Sequence, residues 1–505
     1  MYKLVLRVFK PQTLPQPEFF VPANQLVQPA TSVFYAKLEE TLQSFAFATE
    51  VRRLCAAAYS DNGRGRPGVD PVVYFKMLMV GFFENLGSER GIAERCQDSL
   101  SIRCFLGYDL TQNTPDHSTL SVIRSRLGVE VYEQVFVLIL GALQAHGLVK
   151  GRNVGIDASV IEANASLKGL VNRQTEEVYW EYVRRLASEN GVDPKDSDAV
   201  RRFDRKRPKK MSNQEWENPN DPDAKIGPTK AGATDMIYKP ENTVDLDTGA
   251  ILRAEVRPGD EADQKDLAAH VLEAQANINE VQALPPDSLT IKSATADKGY
   301  HAVPEMADLQ AEGIRTVISD PVRNRKLENL SPAEIKVVRR AKRSARSKSG
   351  KALLRRRGRH IERTFAHILD AGGARRTTLC GLANLNKRFK FAAAIYNLSQ
   401  LMRELLGVGT PKPWAAGTKG LFWFLWSYFV AGWCRMSGTK CRPAGNRKPS
   451  WHPSRQILTS WVQDMATPLW RPRRAFSIID LFQQAVSETD DQNPVSLRYE
   501  FEGLC

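Results

Sequence analysis

The sequence is short of cysteine, of long hydrophobic runs and of acid relative to base. Seven cysteines among 505 residues (Cys55, Cys96, Cys104, Cys380, Cys434, Cys441 and Cys505) include no C-x-x-C pair. An odd, irregularly spaced set argues against a disulfide framework or a zinc module and fits a reducing compartment. One strongly apolar stretch, residues 421–433, falls short of the roughly 18–20 residues that a bilayer span needs. It reads as a buried helix, and no membrane partner is expected. The first ten residues carry no apolar core ahead of a small-residue cleavage site, so no signal peptide is expected. His117 has no clustered partners and reads as a loop or capping residue rather than a metal ligand.

Acidic residues number 57 against 71 basic ones, leaving a net charge of +14 and a pI near 9.4. Such an excess points to a polyanionic partner, most often nucleic acid. The length allows two to four domains. Hydrophobic and charged fractions of 42% and 25% are those of an ordinary globular protein.

Prolines 11, 15, 17, 22 and 29 make residues 1–30 an extended arm. From Thr31 to about residue 148 the pattern is helical. Phe34, Leu38, Leu42 and Phe45 recur at helical spacing. Asp70-Pro71 opens a helix with an N-cap and a proline at its first position. Ser88 caps a short helix, and the segment from Thr114 supplies a cap and a helix bearing Arg124 and Arg126. Short helices, tight turns and a basic final helix are consistent with a helix-turn-helix-like DNA-binding domain and equally with plain helical packing. Val131 to Leu148 forms a further apolar helix.

The pattern then changes to strands. Residues 152–161 alternate, with Val154, Ile156, Ala158 and Val160 on one face and Gly155, Asp157 and Ser159 on the other. A carboxylate amid strand residues is costly unless it is solvated, paired or metal-bound. Residues 168 to about 230 read as an insertion, helical over 176–187 and then polar, with a basic run from Arg201 to Lys210. Asp235 to Leu246 and Ala250 to Arg257, joined at Asp247-Thr248-Gly249, form a hairpin. A helix over 263–278 follows, then a strand from Leu289 leading into Asp297, a helix over 304–312 and a strand over 314–318. Glu362 sits in a helical segment after a dense arginine block. This order predicts an α/β fold, a ribonuclease H-like mixed sheet over residues 149–407, in which two strands and a later helix bring three carboxylates together.

Three motifs make a resemblance specific. Asp157-Ala158-Ser159 followed by Ala163-Asn164-Ala165-Ser166, Ala296-Asp297-Lys298-Gly299-Tyr300, and Glu362-Arg363-Thr364-Phe365-Ala366-His367 followed by Gly381, Asn384, Lys387 and Arg388 resemble the three motifs of DDE-type transposases of bacterial insertion sequences. Pro115-Asp116-His117-Ser118-Thr119-Leu120-Ser121 and the helices before it resemble the N-terminal domain of these enzymes. The resemblance covers roughly residues 20–407. One feature departs from some relatives: no tyrosine precedes Glu362 in the block from Arg355 to Arg359, and Leu369 stands where those relatives carry a lysine.

The resemblance implies DNA cleavage and strand transfer with Mg²⁺ or Mn²⁺, as two ions per site. Asp157 is the expected bridging ligand, with Asp297 on one ion and Glu362 on the other. The implied partners are double-stranded DNA, as terminal inverted repeats and target, and a second copy of the chain. The implied location is the bacterial cytoplasm, at the nucleoid. Expected DNA contacts are Arg124, Arg126, Lys298, Arg355, Arg356, Arg357, Arg359, Arg363, His367, Lys387 and Arg388. The basic block from Arg339 to Arg359 reads as phosphate-binding or as a surface linker. Leu385, Phe389, Ala392, Tyr396 and Met402 form a core stripe, and no chemistry is read in residues 408–505. A nuclease of the same fold that does not join strands, and a DNA-binding protein without activity, are the alternative readings.

Overall fold

The computed structural model describes residues 30–59, 68–109, 111–208, 211–229, 231–281, 289–322 and 330–411. The proline-bearing arm up to residue 29, the apolar stretch 421–433 and the rest of the tail from residue 412 lie outside the described residues.

Seven helices come first: α1 (Ala30–Ser44), α2 (Phe47–Cys55), α3 (Pro71–Phe83), α4 (Glu89–Asp98), α5 (Leu100–Leu106), α6 (His117–Arg126) and α7 (Val129–Ala145). Local signals set their starts. The Asp70 carboxylate accepts from the Val72 amide at 2.9 Å with Pro71 in the first turn, and Ser88 Oγ accepts from the Gly91 amide at 3.1 Å. The cap of α6, in the segment from Thr114, is Asp116: its carboxylate accepts from the Thr119 amide at 2.8 Å. Helix α3 is buried almost all round, including Tyr74, Met77 and Val80. No single helix among the described residues is long and apolar enough to cross a membrane.

The strands are β1 (Asn153–Ala158), β2 (Ile161–Glu162), β3 (Val171–Asn172), β4 (Trp216–Glu217), β5 (Lys225–Pro228), β6 (Thr234–Asp245), β7 (Ile251–Pro258), β8 (Ser293–Ala296) and β9 (Arg315–Ile318). The main sheet runs β7-β6-β1-β8-β9, with β2 and β5 also paired to β6. β1 is antiparallel to β6 and parallel to β8, and β8 is parallel to β9. The β6–β7 hairpin turns at Gly249, whose φ of 87° suits glycine. This is the α/β, ribonuclease H-like mixed sheet that the element order predicts.

The insertion is more regular than its polar sequence suggests. It holds α8 (Tyr179–Glu189), α9 (Ser197–Lys206) and the two-stranded β3–β4 sheet. Tyr179 and Tyr182 pack edge-on against Trp216, at 5.2 and 5.1 Å between ring centres. Helix α9 lies where a basic loop is expected. Its start is fixed by Asp196, which accepts from the amides of Asp198 and Ala199, and only Val200 of its residues is buried.

The remaining helices are α10 (Leu267–Val281), α11 (Val303–Ala311), α12 (Pro332–Arg346), α13 (Lys348–Phe365) and α14 (Leu382–Leu406). The arginine block is thus two helices divided at Ser347, not a linker. Ser331 and Glu334 form a capping box on α12, and Ser347 Oγ accepts from the Gly350 amide to start α13. Helix α13 runs into one π-helical stretch, Ala366–Ala371. Most of helix α14 between Leu385 and Met402 is buried, and it packs on α7 and β7. Phe391 of α14 meets Phe75 of α3 at 4.9 Å, and Lys390 pairs with Glu133 of α7. One continuous hydrophobic core therefore runs from Phe34 to Met402, and residue 148 marks a change of architecture rather than a gap in packing.

Candidate active site

The β1–β8 register sets the site. Asn153, Val154 and Gly155 stand beside Ser293, Ala294 and Thr295. Two residues further along each chain come Asp157 and Asp297, so the same offset carries both aspartates to neighbouring positions at the C-terminal ends of parallel strands. Strand alternation gives Gly155 and Asp157 the same face. A Cβ at Gly155 would stand 2.6 Å from Leu246, 3.1 Å from Arg357 Cγ and 3.3 Å from Ile361. Glycine here lets α13 lie directly on the strand that carries Asp157.

That close approach delivers Arg357 to both acids. Its Nη2 donates to Asp157 Oδ2 at 2.6 Å, and its Nη1 is 3.8 Å from Asp297 Oδ1. Arg357 is mostly buried and Asp157 partly so, whereas Asp297 is exposed. Burial pushes the Asp157 carboxyl above its ordinary range; Arg357 opposes that rise, and Asp297 adds to it.

Behind Asp157, on the opposite face of the sheet, lies a buried charge network. Glu241 of β6 is fully buried. It accepts from Arg253 and Arg257, each at 3.2 Å, and from the Tyr300 hydroxyl at 3.0 Å, while His270 Nδ1 lies 2.5 Å away. Burial alone would raise Glu241, but His270, Arg257 and Arg253 outweigh it and hold it below the ordinary range. Tyr300 thus ties the turn after Asp297 to the centre of the sheet. Sequence reading quotes Tyr300 within its motif without giving it a role, and it misses Glu241. The signal available was a glutamate inside a strand that is otherwise buried.

Glu362 stands apart from the aspartates. It is exposed on α13; a Cβ at Gly358, one turn earlier, would lie 3.8 Å from its Oε1. Among the described residues, no three His, Cys, Asp or Glu side chains are gathered closely enough to hold a metal ion. The structure brings Asp157 and Asp297 to one guanidinium and does not add Glu362 to them. With about 100° per residue, Glu362 and Gly358 lie on one flank of α13 and Arg356, His360 and Arg363 on the other, with Arg357 and Ile361 between.

The expected DNA contacts divide. Lys298, Arg355, Arg359 and Arg363 are exposed. Arg126 is exposed with its guanidinium 5.1 Å from the Tyr59 ring centre. Arg356 donates to Asp247 at 2.7 Å, and Arg357 is held by the aspartates. Four of these residues have partners within the fold. Arg124 pairs with Glu89 and is largely buried. Lys387 is buried and donates to the Arg124 carbonyl at 2.9 Å. Arg388 donates to the Leu86 carbonyl at 3.2 Å, and burial lowers its pKa. His367 is half-buried against Tyr396 at 5.8 Å, and burial lowers its pKa. The basic run of the insertion is also engaged: Arg207 pairs with Asp204 at 2.8 Å, and Arg201 and Arg202 face Asp198 and Asp196.

Two family models match the chain. One, described as Transposase domain (DUF772), covers residues 21–126. The other, described as Transposase DDE domain, covers residues 196–398. The chain belongs to the DDE-type transposases of insertion elements. No match was found among curated proteins. The DDE match includes Asp297 and Glu362, whereas Asp157 precedes it and rests on its register beside Asp297. As a transposase, the protein is a metal-dependent enzyme of DNA phosphoryl transfer. The aspartate pair fits that dependence. Its donors are all carboxylate oxygens, the choice of a hard divalent ion, and a positive charge already stands between them in Arg357.

Proposed function

We propose that Asp157, Asp297 and Glu362 are the acids of the transposase site and would hold two divalent ions, Mg²⁺ or Mn²⁺; the two aspartates already stand side by side, and Glu362 is assigned to them from its motif. The observation that carries this reading is the parallel register of β1 and β8 together with the reach of Arg357 to both aspartates. The chemistry such ions supply is activation of the attacking oxygen and stabilisation of the leaving one. The chain's own residues do the rest. Lys298 beside Asp297, and Arg355 and Arg359 near the Glu362 flank, are exposed cations for the DNA backbone. Arg357 keeps the acids neutralised and aligned, and the Tyr300–Glu241 bond fixes the turn that carries Asp297.

In this reading a water first frees the 3′-hydroxyl at the element end, and that hydroxyl then attacks target DNA in the same site. No side-chain nucleophile is needed. The helical N-terminal part seats DNA in part through Arg126, and joining two ends calls for at least two copies of the chain. The test is incubation with Mg²⁺ and DNA bearing the element's inverted ends. Joined products are expected; cleavage without joining would replace the reading with a nuclease. Asp297→Asn is expected to abolish both steps while sparing DNA binding, and retained cleavage would remove Asp297 from the site.

A further inference from the structure

On the flank of α13 that faces away from Glu362 lies a second polar cleft, with a volume of about 180 Å³. Arg363 and His360 of α13, Tyr396, Gln400 and Arg403 of α14, and Gly249 of the β6–β7 turn line it. Gln400 Nε2 donates to the Gly249 carbonyl at 2.8 Å, which fixes the floor. A Cβ at Gly249 would come within 2.9 Å of His360 Nδ1, so only glycine keeps that side open.

The charges in this cleft are unbalanced. Among the described residues, neither Arg363 nor Arg403 has an ion-pair partner, although both border the same space. Nearby acids are engaged elsewhere: Asp245 accepts from the Lys150 and Gly151 amides, and Asp247 from Arg356 and Asn153. Glu404 lines the cleft but is exposed and bonds neither arginine. Burial first, and the Arg363 charge second, pull Arg403 below its ordinary pKa. Arg403 is half-buried with no acid bonded to it, and Arg363 reaches the same polar space from the exposed face of α13, so an anion seated there meets two guanidinium groups at once. Planar, multi-donor guanidinium is the side chain best matched to phosphate oxygens. His360 is held below its ordinary pKa by burial and by Arg359 and Arg363, so near neutrality it offers a neutral ring N–H beside them.

We infer that the cleft between α13, α14 and the β6–β7 turn binds a phosphate group through Arg363 and Arg403, separately from the cleavage site. The favoured source is the backbone of the DNA on which the proposed transposase reaction depends. A second contact on the same helix as Glu362, on its other flank, would hold α13 in place while the acids act.

The test uses the full chain carrying Asp297→Asn, with a short DNA duplex and fluorescence anisotropy across a salt series. Each lost phosphate contact reduces the log–log salt slope by roughly 0.9. Arg403→Gln is expected to lower the slope by about one, and Arg363→Gln with Arg403→Gln by about two. Arg403→Lys should keep most of the slope, and an unchanged melting temperature in each variant excludes misfolding. Calorimetry with inorganic pyrophosphate at constant ionic strength separates the sources. A reduced slope places DNA in the cleft. Arginine-dependent pyrophosphate binding with an unchanged slope assigns it to a free phosphate ligand. Unchanged slope and no pyrophosphate binding overturn the inference. Wild-type protein that does not cut or join element ends would instead refute the proposed reaction and leave the cleft result standing.

Discussion

Arg357 is the side chain on which both aspartates depend. Without it, two neighbouring carboxylates face each other with no cation between them. Charge-assisted bonds of this kind contribute about 1.5–3 kcal/mol. Arg357→Ala is expected to lower unfolding free energy by an amount in that range, and added Mg²⁺ should restore part of it by neutralising the same acids. Urea unfolding with and without Mg²⁺ measures both effects; no recovery with Mg²⁺ would show that the aspartates are not the ion's ligands. In the proposed site, Asp157 is the acid whose protonation bears on the low-pH side of the reaction. Burial places its folded-state pKa above the ordinary 3.8. A carboxyl with a raised pKa favours the fold when protonated and loses that contribution as pH rises through its pKa, so Asp157 does not drive acid unfolding. In the proposed site its protonation would remove a ligand. Carboxyl NMR titration of the metal-free protein should give Asp157 a midpoint above 3.8, and a midpoint at or below that value would contradict the burial argument.

At the scale of elements, the contact between β1 and α13 decides whether the site forms. Gly155→Ala would drive a methyl into Leu246 and the Arg357 stem. Overpacking of this kind costs about 1–3 kcal/mol. Cleavage should fall more steeply than stability, because the displaced helix carries both Arg357 and Glu362; equal losses would mean that α13 tolerates the shift. Much of this arrangement was legible in sequence. Strand alternation put Gly155 and Asp157 on one face, the 235–257 hairpin was marked by its turn, and the caps at Asp70 and Ser88 were explicit. Helices α9 and α12 were not read, because their residues are mostly polar and only Val200, or Val338, Ala341 and Ala345, are buried. Apolar periodicity has little to register there, although Asp196 and Ser331 gave local signals. The inward turn of Arg357 was readable in principle: it falls in the stripe Leu353, Arg357, Ile361 and Phe365, whose other members are buried. Charge count alone grouped it with its exposed neighbours. That Glu362 stands apart from the aspartates could not be read from spacing, since the position of α13 over the sheet is a tertiary fact.

At the scale of the molecule, α14 belongs to both parts of the chain. Phe391 packs on Phe75, Lys390 pairs with Glu133, and Asn397 exchanges hydrogen bonds with the Ile251 backbone at 2.9 and 2.8 Å. Phe391→Ala is expected to cost about 3–5 kcal/mol and to leave a single unfolding transition over residues 30–411. Calorimetry showing two separate transitions would mean that the helical part and the sheet fold independently.

Placing α14 near the end of this core bears on how copies of the gene decay. A copy interrupted before residue 382 still encodes Asp157, Asp297 and the N-terminal helices, yet lacks the helix that closes both layers. Its product is expected to be cleared by proteolysis rather than to persist as a folded competitor on element ends. Loss of the reading frame would silence such a copy without turning it into an inhibitor of its intact sisters.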